Sequence, residues 1–583
     1  MKRLLFILCI LFSCLAYSQT DNNNEKKMLQ VMGLIKYYYV DTVNMSKISE
    51  KGIETMLKEL DPHSAYIPKK EVEKANEPLQ GNIEGIGVTF QIMNDTIHII
   101  DVIADGPSDK VGILPGDKII KVNDTICVGD SINNDWVMSH LRGKKGSKVV
   151  VEIRRESKQT PLTFKIIRDK IPLNSIDTWF MIDKEIGYIS LRRFSQNSDQ
   201  EFQKAVADLK KQGMKKLIFD LRSNGGGYLE TAKDICDEFL PKDKRIVYTQ
   251  GVHSPEYELT STSEGCFEKG DLVILIDEYT ASASEITSGA IQDWDRGVII
   301  GRRSFGKGLV QRPMNLLDGS QMRLTTARYY IPSGRCIQKS YKDGTDAYYQ
   351  DYFKRYQHKE FLTPDSISFP DSLKYKTNKG RIVYGGGGIM PDIFVPIDTT
   401  RASDYFINLR SKNIFNNFSL SWSEKNRETM LKKYPTYDDF DKAFDSLNIM
   451  NEFEEYATKE GVKKNIIKTD WVNNIVMNYL KDIQKDTTQN SQYTSYSSYA
   501  DNLLDSNKMI DQIKQKAKEE DLKEQELIKQ SNVYIKNNLK GFIARNLYGT
   551  KYYYKAVQET DDTLQKAISV LKDTKQYKAI LKN

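Results

Sequence analysis

The sequence has few of the residues and patterns on which metal chemistry depends. Its 583 residues include five histidines, and these lie far apart. Neither an HExxH pattern nor a paired CxxC pattern occurs, so the spacings typical of a zinc site are missing. The 16 prolines and 35 glycines are too few for a fibrous or largely disordered chain. We therefore expect a folded protein that needs no metal and no other cofactor.

A strong charge of one sign and long apolar runs are also lacking. The formal net charge is +6, from 85 Lys and Arg against 79 Asp and Glu, and so small an excess gives no reason to expect a nucleic-acid partner. Beyond the first 18 residues, no segment approaches the run of about 18 apolar residues that a transmembrane helix needs, so we expect no transmembrane anchor. A chain of this length exceeds what one hydrophobic core usually serves, which predicts several domains.

The first residues have the pattern of a signal peptide. Met1-Lys2-Arg3 is positively charged, and the apolar run 4–15 that follows is too short to span a bilayer. Ala16-Tyr17-Ser18 supplies small residues at the two positions that signal peptidase recognises, so residues 1–18 are predicted to be removed and the mature chain to begin at Gln19 in the periplasm. The alternative is a lipid anchor at Cys14, which the short apolar run and a bulky residue two positions earlier disfavour.

Two amphipathic helices are predicted next. Apolar residues recur at steps of three and four over residues 25–39 and again over 46–60. The second helix must end before Asp61-Pro62, because proline disfavours a helical residue in front of it. We assign residues 19–80 to an N-terminal helical region.

Short β-rich runs separated by turn residues occupy residues 81–168. They predict strands at 87–93, 97–103, 118–122 and 148–154, and a helix at 135–141. Their order resembles a PDZ domain, and three motifs carry the likeness: Gly85-Ile86-Gly87-Val88, the run 116–123, and Leu141-Arg142-Gly143. The resemblance implies that the first motif binds a terminal carboxylate through backbone N–H groups while the following strand pairs with the peptide. The alternative is a plain hairpin turn that contains glycines.

From residue 186 to 396 strands alternate with helices, which is typical of an α/β domain. Strands are predicted at 187–191, 216–221, 272–276 and 298–300, and helices at 231–240 and 282–294. The polar stretches 251–269 and 340–380 are predicted to be inserted loops. Residues 401–583 are largely charged helix, interrupted by a polar segment at 487–499. The final helices carry sparse apolar residues, such as Ile510 and Leu522, among many lysines and glutamates, which favours a solvated helical arm over a dedicated partner site.

Two segments of the α/β region carry residue types suited to nucleophilic catalysis. Thr280-Ala281-Ser282-Ala283-Ser284-Glu285 follows a buried strand and places a serine at a helix N-terminus, beside N–H donors that stabilise a developing oxyanion. By itself such a serine is usually only a helix cap. Further along, Ser304-Phe305-Gly306-Lys307-Gly308 sets a lysine between two glycines, which let the backbone bend sharply. By itself such a lysine is usually only a surface charge.

These two segments, together with Asp220-Leu221-Arg222-Ser223-Asn224-Gly225-Gly226-Gly227, resemble the signature of the carboxyl-terminal processing peptidases, also called tail-specific proteases. The resemblance runs from about residue 34 to 396 and includes the segments 60–64, 326–335 and 388–392. It implies a multidomain α+β protein in which residues 169–400 form a crotonase-like α/β spiral. The PDZ domain (81–168) precedes this core, and a C-terminal helical extension (401–583) follows it.

The resemblance also implies a role for each candidate residue. Ser282 is the nucleophile, Lys307 the general base, and Gln311 the residue that orients the lysine. The remaining positions are an oxyanion hole from Ala283 and from Gly225 or Gly226, supporting residues Glu285, Asp293 and Ser304, and peptide-binding residues Gly85, Ile86, Gly87 and Val88. Ser284 is the alternative nucleophile, but the family motif places the catalytic serine directly before Ala-Ser-Glu.

A serine–lysine pair sets a chemical condition. A lysine with an unperturbed pKa near 10.4 is almost wholly protonated at pH 7, so burial must lower its pKa before it can accept the serine proton. Glu285 and Asp293 therefore cannot both lie ionised against the Lys307 ammonium, and we expect them to bind other groups. No histidine falls between His253 and His358, the interval that holds both segments, which disfavours a Ser-His-Asp triad.

The sequence therefore predicts a periplasmic serine endopeptidase whose PDZ domain recognises protein C-terminal tails. Its partners are proteins or peptides with free C-termini, and the C-terminal helices offer a surface to a second copy or an adaptor. One alternative is a catalytically inactive PDZ-containing binding protein, against which the presence of Ser282, Lys307 and Gln311 speaks. Another is a crotonase-like acyl-transfer enzyme, which the signal peptide disfavours because coenzyme A thioesters are cytoplasmic.

The widely spaced cysteines, Cys127, Cys236, Cys266 and Cys336, leave disulfides and free thiols both open.

Overall fold

The computed structural model describes residues 22–93, 95–103, 105–129, 132–156, 158–262, 265–398, 403–464, 471–478, 481 and 506–582. The predicted signal peptide with Cys14 and the polar segment 487–499 lie outside the described residues. Within the described ranges, no helix combines the length and the apolar character needed to cross a membrane. The chain divides into two compact units: residues up to 75 with 310–326 and 341–349, and residues 76–309 with 327–340 and those from 350 onward.

The smaller unit contains both predicted N-terminal helices, which span Asn22–Tyr38 and Met45–Lys58. The second helix ends before Asp61-Pro62, as predicted. Asp61 then closes a turn, because its Oδ1 atom accepts the N–H groups of His63 and Ser64 at 2.8 and 2.9 Å. The strand Ala65–Ile67 follows and pairs antiparallel with residues 321–323 of the strand Gln321–Tyr330.

The larger unit begins with a β domain. Its main sheet has the antiparallel order Val88–Met93, Thr96–Val102, Lys118–Val122, Lys148–Arg154 and Leu162–Ile167, with Thr125–Ile126 beside the third strand. The helix Asn134–Leu141 buries Val137 and Leu141 against Ile and Val side chains of the sheet. The four predicted strands and the helix are confirmed. The strand Leu162–Ile167 was not predicted, and it alternates half-buried with exposed side chains along most of its length.

A six-stranded sheet forms the centre of the next part of this unit. Its order is Ile176–Met181, Ile186–Leu191, Lys216–Asp220, Leu272–Ile276, Val298–Gly301 and Ile393–Phe394. The first pair is antiparallel and the other pairs are parallel. The helices between the strands are Ser198–Lys211, Leu229–Asp237 and Ala283–Asp293. The parallel order brings the carboxyl ends of the three central strands to one edge, where ligand and catalytic sites of such sheets lie.

Two segments predicted to be inserted loops contain regular structure, so that prediction is wrong. Within 251–269, the strand Ser254–Thr260 pairs antiparallel with Arg245–Gly251. Within 340–380, the structure has the helices Thr345–Tyr349 and Asp351–Gln357 and the strand Lys374–Lys376, which pairs with Ile382–Tyr384. The strand Ser254–Thr260 exposes most of its side chains, which explains its polar sequence.

Residues 404–582, which we call the helical extension, are largely helical where the structure describes them. Buried aromatic residues such as Phe415, Phe440 and Phe453 give the extension a core of its own. The solvated arm predicted for the final helices is wrong for the helix Asp562–Lys572. Residues of the helix Asp562–Lys572 cover one face of the six-stranded sheet, where Ile568 and Leu571 belong to the same buried cluster as strand residues such as Val273. The first half of the long helix does resemble an arm, since Ile510 and Leu522 are exposed. The helices of the extension include Asp404–Ser411, Ile414–Lys433, Tyr437–Ala443, Ile449–Lys459, Ser506–Tyr548, Lys551–Val557, Asp562–Lys572 and Thr574–Ile580.

Candidate active site

Ser282 lies at the sharp turn between the strand Leu272–Ile276 and the helix Ala283–Asp293. Its backbone has φ 58° and ψ −116°, which is costly for a residue with a β-carbon and persists only where neighbouring groups hold it. Asp277 gives part of that support, because its Oδ1 atom accepts the N–H groups of Tyr279 and Thr280, both at 3.0 Å. Ser282 is half-buried, whereas every residue of the following helix is buried.

Glu285 joins the turn at residues 277–282, which we call the serine turn, to the segment that contains Lys307. Its Oε2 atom accepts the backbone N–H of Ser282 at 2.8 Å and that of Lys307 at 2.9 Å. Its Oε1 atom accepts the Gly306 N–H at 2.6 Å and the Ser304 hydroxyl at 2.5 Å. Burial raises the pKa of this carboxyl group, and the four donors act in the opposite direction. A single buried carboxylate thus fixes the backbone of both candidate catalytic residues.

Lys307 lies in residues 302–308, which follow the strand Val298–Gly301 and which we call the lysine loop. Gly306 has a φ of 89°, and a β-carbon built on it would lie 3.1 Å from the Gly388 nitrogen, so this position favours glycine. The Tyr329 hydroxyl lies 2.7 Å from the Lys307 carbonyl oxygen and 3.1 Å from that of Ser282. Tyr329 is therefore a second bridge between the two segments.

Residues 221–227, which follow the strand Lys216–Asp220, form the third segment, here called the glycine loop. A β-carbon built on Gly226 would lie 2.8 Å from the Ser282 β-carbon and 2.8 Å from the Ala283 nitrogen. The loop thus packs directly on the start of the helix. The Asn224 carbonyl oxygen strengthens this contact by accepting the Ala281 N–H at 3.0 Å.

The N–H groups at this junction differ in whether they are free to bind an oxyanion. The Gly226 N–H donates to the Asn224 side-chain oxygen at 2.8 Å and is therefore engaged within the loop. Ala283 is the first residue of its helix, so its N–H has no acceptor within the helix. Of the predicted donors, the Gly226 N–H is thus bound within the loop, whereas the Ala283 N–H has no acceptor in its own helix.

Ser284 and Asp293 are bound to other groups. The Ser284 hydroxyl is buried and donates to the Asn224 carbonyl oxygen at 3.0 Å, which fits a structural residue. Asp293 lies at the opposite end of the 11-residue helix from Ser282. Its carboxylate accepts Arg335 Nη2 at 2.8 Å and the Ser333 N–H at 2.9 Å. The structure thus groups Ser282, Glu285, Ser304 and Lys307 closely and gives Asp293 an arginine partner.

Gln311 belongs to the smaller unit. Its Nε2 atom donates to the Thr325 hydroxyl at 3.2 Å, and that hydroxyl donates to Asp61 Oδ1 at 3.0 Å. Ser64 accepts the Thr325 N–H at 3.1 Å. The motif 60–64, which resembles the family's segment before the PDZ domain, is therefore connected to Gln311 through Thr325.

The predicted carboxylate-binding loop has the backbone geometry that its glycines suggest. Gly87 has a φ of 78°, and a β-carbon built on it would lie 3.1 Å from the Ile171 side chain. The loop is held from inside, because the Ile86 and Gly87 carbonyl oxygens accept the N–H groups of Ser108 and Ile103, both at 3.0 Å. The strand Val88–Met93 stands at the end of the sheet order, so among the described residues one of its edges has no strand partner. Such an edge suits an added peptide strand.

The hydrogen bonds described above for Ser282, Glu285 and Lys307 involve no histidine or cysteine side chain. His63 binds the Tyr348 hydroxyl at 2.9 Å, and His140 binds the Trp136 carbonyl oxygen at 2.7 Å. Residues 253 and 358 are exposed, and the four cysteines of the described chain are free thiols. Over the same described residues, no group of three His, Cys, Asp or Glu side chains could hold a metal ion.

Two contacts in the site were missed by sequence reasoning. Tyr329 and Asn224 both fall within motifs that resemble the family, but no spacing relates either of them to Ser282. Tyr329 reaches the site from a strand of a different sheet, and Asn224 acts through its backbone carbonyl as well as its side chain. An asparagine directly before a run of glycines is the sequence signal that could have drawn attention to Asn224, because such a side chain often accepts the N–H group two residues on, as it does here from Gly226.

Comparison with known proteins places these features in context. Residues 185–346 match the model of peptidase family S41, residues 85–166 match the PDZ domain, and residues 405–481 and 464–549 match a family of unknown function. The chain is 32% identical to the carboxy-terminal processing protease CtpB of Bacillus subtilis (strain 168) over 350 residues, which are 58% of this chain and 71% of that protein. It is 33% identical to a carboxy-terminal-processing protease of Bartonella bacilliformis over 335 residues, 56% of this chain and 76% of that one. A solved photosystem II D1 C-terminal processing protease is 25% identical, with a TM-score of 0.31 over 53% of this chain and 89% of its own.

Proposed function

Because this chain belongs to peptidase family S41, among the carboxy-terminal processing serine proteases, we propose that it cleaves proteins through an acyl-enzyme on Ser282, with Lys307 as the general base. The proposal depends above all on the position of Glu285, which binds the backbone N–H groups of both residues. Two segments that are separate in sequence are joined at one buried carboxylate, next to the glycine loop.

The proposed reaction begins when Ser282 Oγ attacks the carbonyl carbon of the scissile bond and Lys307 Nζ takes the hydroxyl proton. The N–H groups of Ala283 and Gly225 stabilise the resulting oxyanion. Lys307 then gives the proton to the leaving amine as the C–N bond breaks, which leaves an ester on Ser282. A water molecule deprotonated by the same lysine hydrolyses the ester, releases the carboxylic acid and restores the serine.

Lys307 can act as a base only if nearby carboxylates do not stabilise its charged form. Glu285 supports this condition, since each of its oxygens already accepts two donors. Asp293 supports it as well, because its charge is paired with Arg335. Ser304 then acts through Glu285, and Gln311 keeps the proposed role of orienting the lysine.

We propose that Gly85, Ile86, Gly87 and Val88 bind the substrate's terminal carboxylate, and that the strand Val88–Met93 pairs with the tail. The test is a titration of a tail peptide, as free acid and as amide, against the full-length Ser282→Ala protein. Amidation removes the charge and one acceptor oxygen from a contact worth about 1.5–3 kcal/mol, so affinity should fall roughly tenfold or more. Equal affinities would mean that the loop does not recognise chain ends.

The proposal includes the fold and location predicted from the sequence. Residues 169–400 are proposed to form a crotonase-like spiral, with boundaries near residues 80, 168 and 400 between the parts of the chain. We further propose that residues 1–18 are cleaved and that the mature protein acts in the periplasm. Mass spectrometry of the exported protein would test this, since the mature chain should begin at Gln19 and carry no lipid.

Site-directed variants test the chemistry. Ser282→Ala and Lys307→Ala should each abolish cleavage of a tailed protein while the circular dichroism spectrum stays unchanged, because nucleophile and base act as one unit. Ser284→Ala is the matched control and should cost far less. Lys307→Arg should be inactive, since arginine cannot accept a proton near neutral pH. Equal losses for the two serine variants, or full activity in Lys307→Arg, would refute the dyad.

A further inference from the structure

The helical extension contacts the glycine loop through an ion pair. Arg222 donates from Nη1 to Asp561 Oδ1 at 2.8 Å and from Nη2 to Asp561 Oδ2 at 2.7 Å. Asp561 stands just before the helix Asp562–Lys572 and caps it by accepting the Leu564 N–H at 3.0 Å. Because the pair is bidentate, it fixes the orientation of the arginine as well as its position.

The guanidinium of Arg222 is also bound to Asp220, the last residue of the strand before the loop. Nε lies 3.0 and 3.1 Å from the two Asp220 oxygens, and Nη2 lies 2.6 Å from Oδ2. Burial acts to raise the pKa of Asp561, but the Arg222 charge and hydrogen bonds outweigh it and hold that pKa below its usual value. Asp561 is therefore negatively charged at neutral pH, and Arg222 is held between two carboxylates.

A second set of hydrogen bonds connects the helical extension to Arg222. Arg192 donates from Nη1 to the Arg222 carbonyl oxygen at 3.3 Å and from Nη2 to the Tyr554 hydroxyl at 2.6 Å. Tyr554 in turn donates to Asp177 at 2.8 Å. Both the side chain and the carbonyl group of Arg222 are thus held by residues that belong to the extension or bind to it.

The glycine loop needs such support because its backbone is strained. Ser223 follows Arg222 and has a φ of 57°, a conformation that persists only where several neighbours hold it. Asp277 accepts the Ser223 N–H at 2.9 Å, and the Asn224 side chain donates to the Leu191 carbonyl oxygen at 2.9 Å. Residues 222, 223 and 224 are therefore anchored one after another, directly before Gly225.

We propose that Asp561 is a positioning residue for the oxyanion hole: it holds Arg222 and thereby the glycine loop that presents the Gly225 N–H. This inference rests on the acyl-enzyme function proposed for Ser282. Without the anchor at Arg222, the strained loop relaxes and the donor moves away from the place where negative charge develops. That loss slows the chemical step and leaves ground-state binding of the substrate largely unchanged.

Asp561→Asn in the full-length protein removes the ion pair with Arg222 but keeps the helix cap, so the two contributions can be told apart. Asparagine still offers an oxygen to the Leu564 N–H, but it removes the negative charge that faces Arg222. We expect kcat for a tailed peptide to fall about ten- to a hundredfold, as expected for a displaced catalytic group, while KM changes less than about twofold. Asp561→Glu restores the charge and should recover part of kcat.

Tyr577→Phe is the matched control, because it removes a different polar contact between the extension and the sheet. The Tyr577 hydroxyl lies 2.9 Å from the Leu272 nitrogen and 3.1 Å from its carbonyl oxygen, far along the chain from the glycine loop. This variant should lower Tm and leave kcat unchanged. Hydrogen–deuterium exchange should increase at residues 221–227 in Asp561→Asn and near residue 272 in Tyr577→Phe.

Two results would overturn the positioning role. One is an unchanged kcat in Asp561→Asn, and the other is an equal loss of kcat in Asp561→Asn and Tyr577→Phe, which would mean general loosening of the extension. Failure of the underlying function is recognised separately, because Ser282→Ala would then retain activity whatever the Asp561 variants do.

Discussion

Glu285→Gln keeps the size of the side chain and changes its hydrogen bonding. The carboxylate accepts two donors at each oxygen, from Ser282 and Lys307 at one and from Ser304 and Gly306 at the other. A glutamine amide has one oxygen and one NH₂ group, and the NH₂ group cannot accept a hydrogen bond. Two of the four donors must therefore lose their acceptor in the variant, whichever way the amide is turned.

The expected cost follows from these bonds. Hydrogen bonds to charged groups contribute roughly 1.5–3 kcal/mol each, so the loss of two lowers the free energy of unfolding by about 3–6 kcal/mol. That is a large part of the total stability of about 5–15 kcal/mol that is usual for a folded domain. The loss falls on the backbone that positions Ser282 and Lys307, so kcat/KM should fall at least about a hundredfold.

Denaturant unfolding and cleavage of a tailed peptide, at a temperature where the variant stays folded, would measure both effects. Asp293→Asn is the control, because it changes a buried carboxylate of the same helix whose partners, Arg335 and Ser333, lie outside the catalytic pair. It should lose comparable stability with a much smaller loss of kcat/KM. Near-wild-type stability in Glu285→Gln, or the same ratio of activity loss to stability loss in both variants, would refute the reasoning.

Three further outcomes are expected. Tyr329→Phe removes the hydroxyl that bridges two carbonyl oxygens of the site, so kcat should fall about tenfold with a loss of roughly 1 kcal/mol in stability, as steady-state kinetics and thermal unfolding would show. Gly87→Val places a β-branched residue at a φ of 78° and should weaken binding of a free-acid tail peptide roughly tenfold or more; unchanged affinity in a titration against the Ser282→Ala background would contradict the loop's role. Burial, aided by Lys118, lowers the pKa of His98 from 6.5 to about 4, so the unfolded chain binds more protons between these values and stability should decrease as pH falls through that window. In denaturation curves at several pH values, His98→Gln should remove this part of the pH dependence.

The core sheet could be predicted because buried parallel strands have a local signal. The run Leu272–Ile276 consists of leucine, valine and isoleucine, and all of its side chains are buried. The serine turn, the lysine loop and the glycine loop each follow such a strand, so their meeting at one sheet edge follows from the topology. Glu285 is different: its four donors come from two segments, and only the folded chain shows that one carboxylate receives them all.

The packing of the helical extension could not be predicted in the same way. Its aromatic residues are scattered among lysines and glutamates, and their partners are distant in the sequence. Phe415 stacks on Phe453 with the ring centres 5.1 Å apart and on Phe542 at 6.3 Å. Contacts over such separations leave no periodic pattern in any short window, so the sequence predicted helices here without their packing. The ion pair between Arg222 and Asp561 is hidden for the same reason, since 339 residues separate its partners.

The helix Asp562–Lys572, which covers one face of the six-stranded sheet, is made late in the synthesis of the chain. Leu272 and Tyr577, which are hydrogen-bonded across this contact, are 305 residues apart. A chain made from its N-terminus therefore completes the central strands, the serine turn and the lysine loop long before the helix Asp562–Lys572 exists. Until then one apolar face of the sheet is bare and the glycine loop lacks its anchor at Asp561. The order of synthesis thus leaves this face of the sheet and the glycine loop without their partners until residues 561–577 have been made.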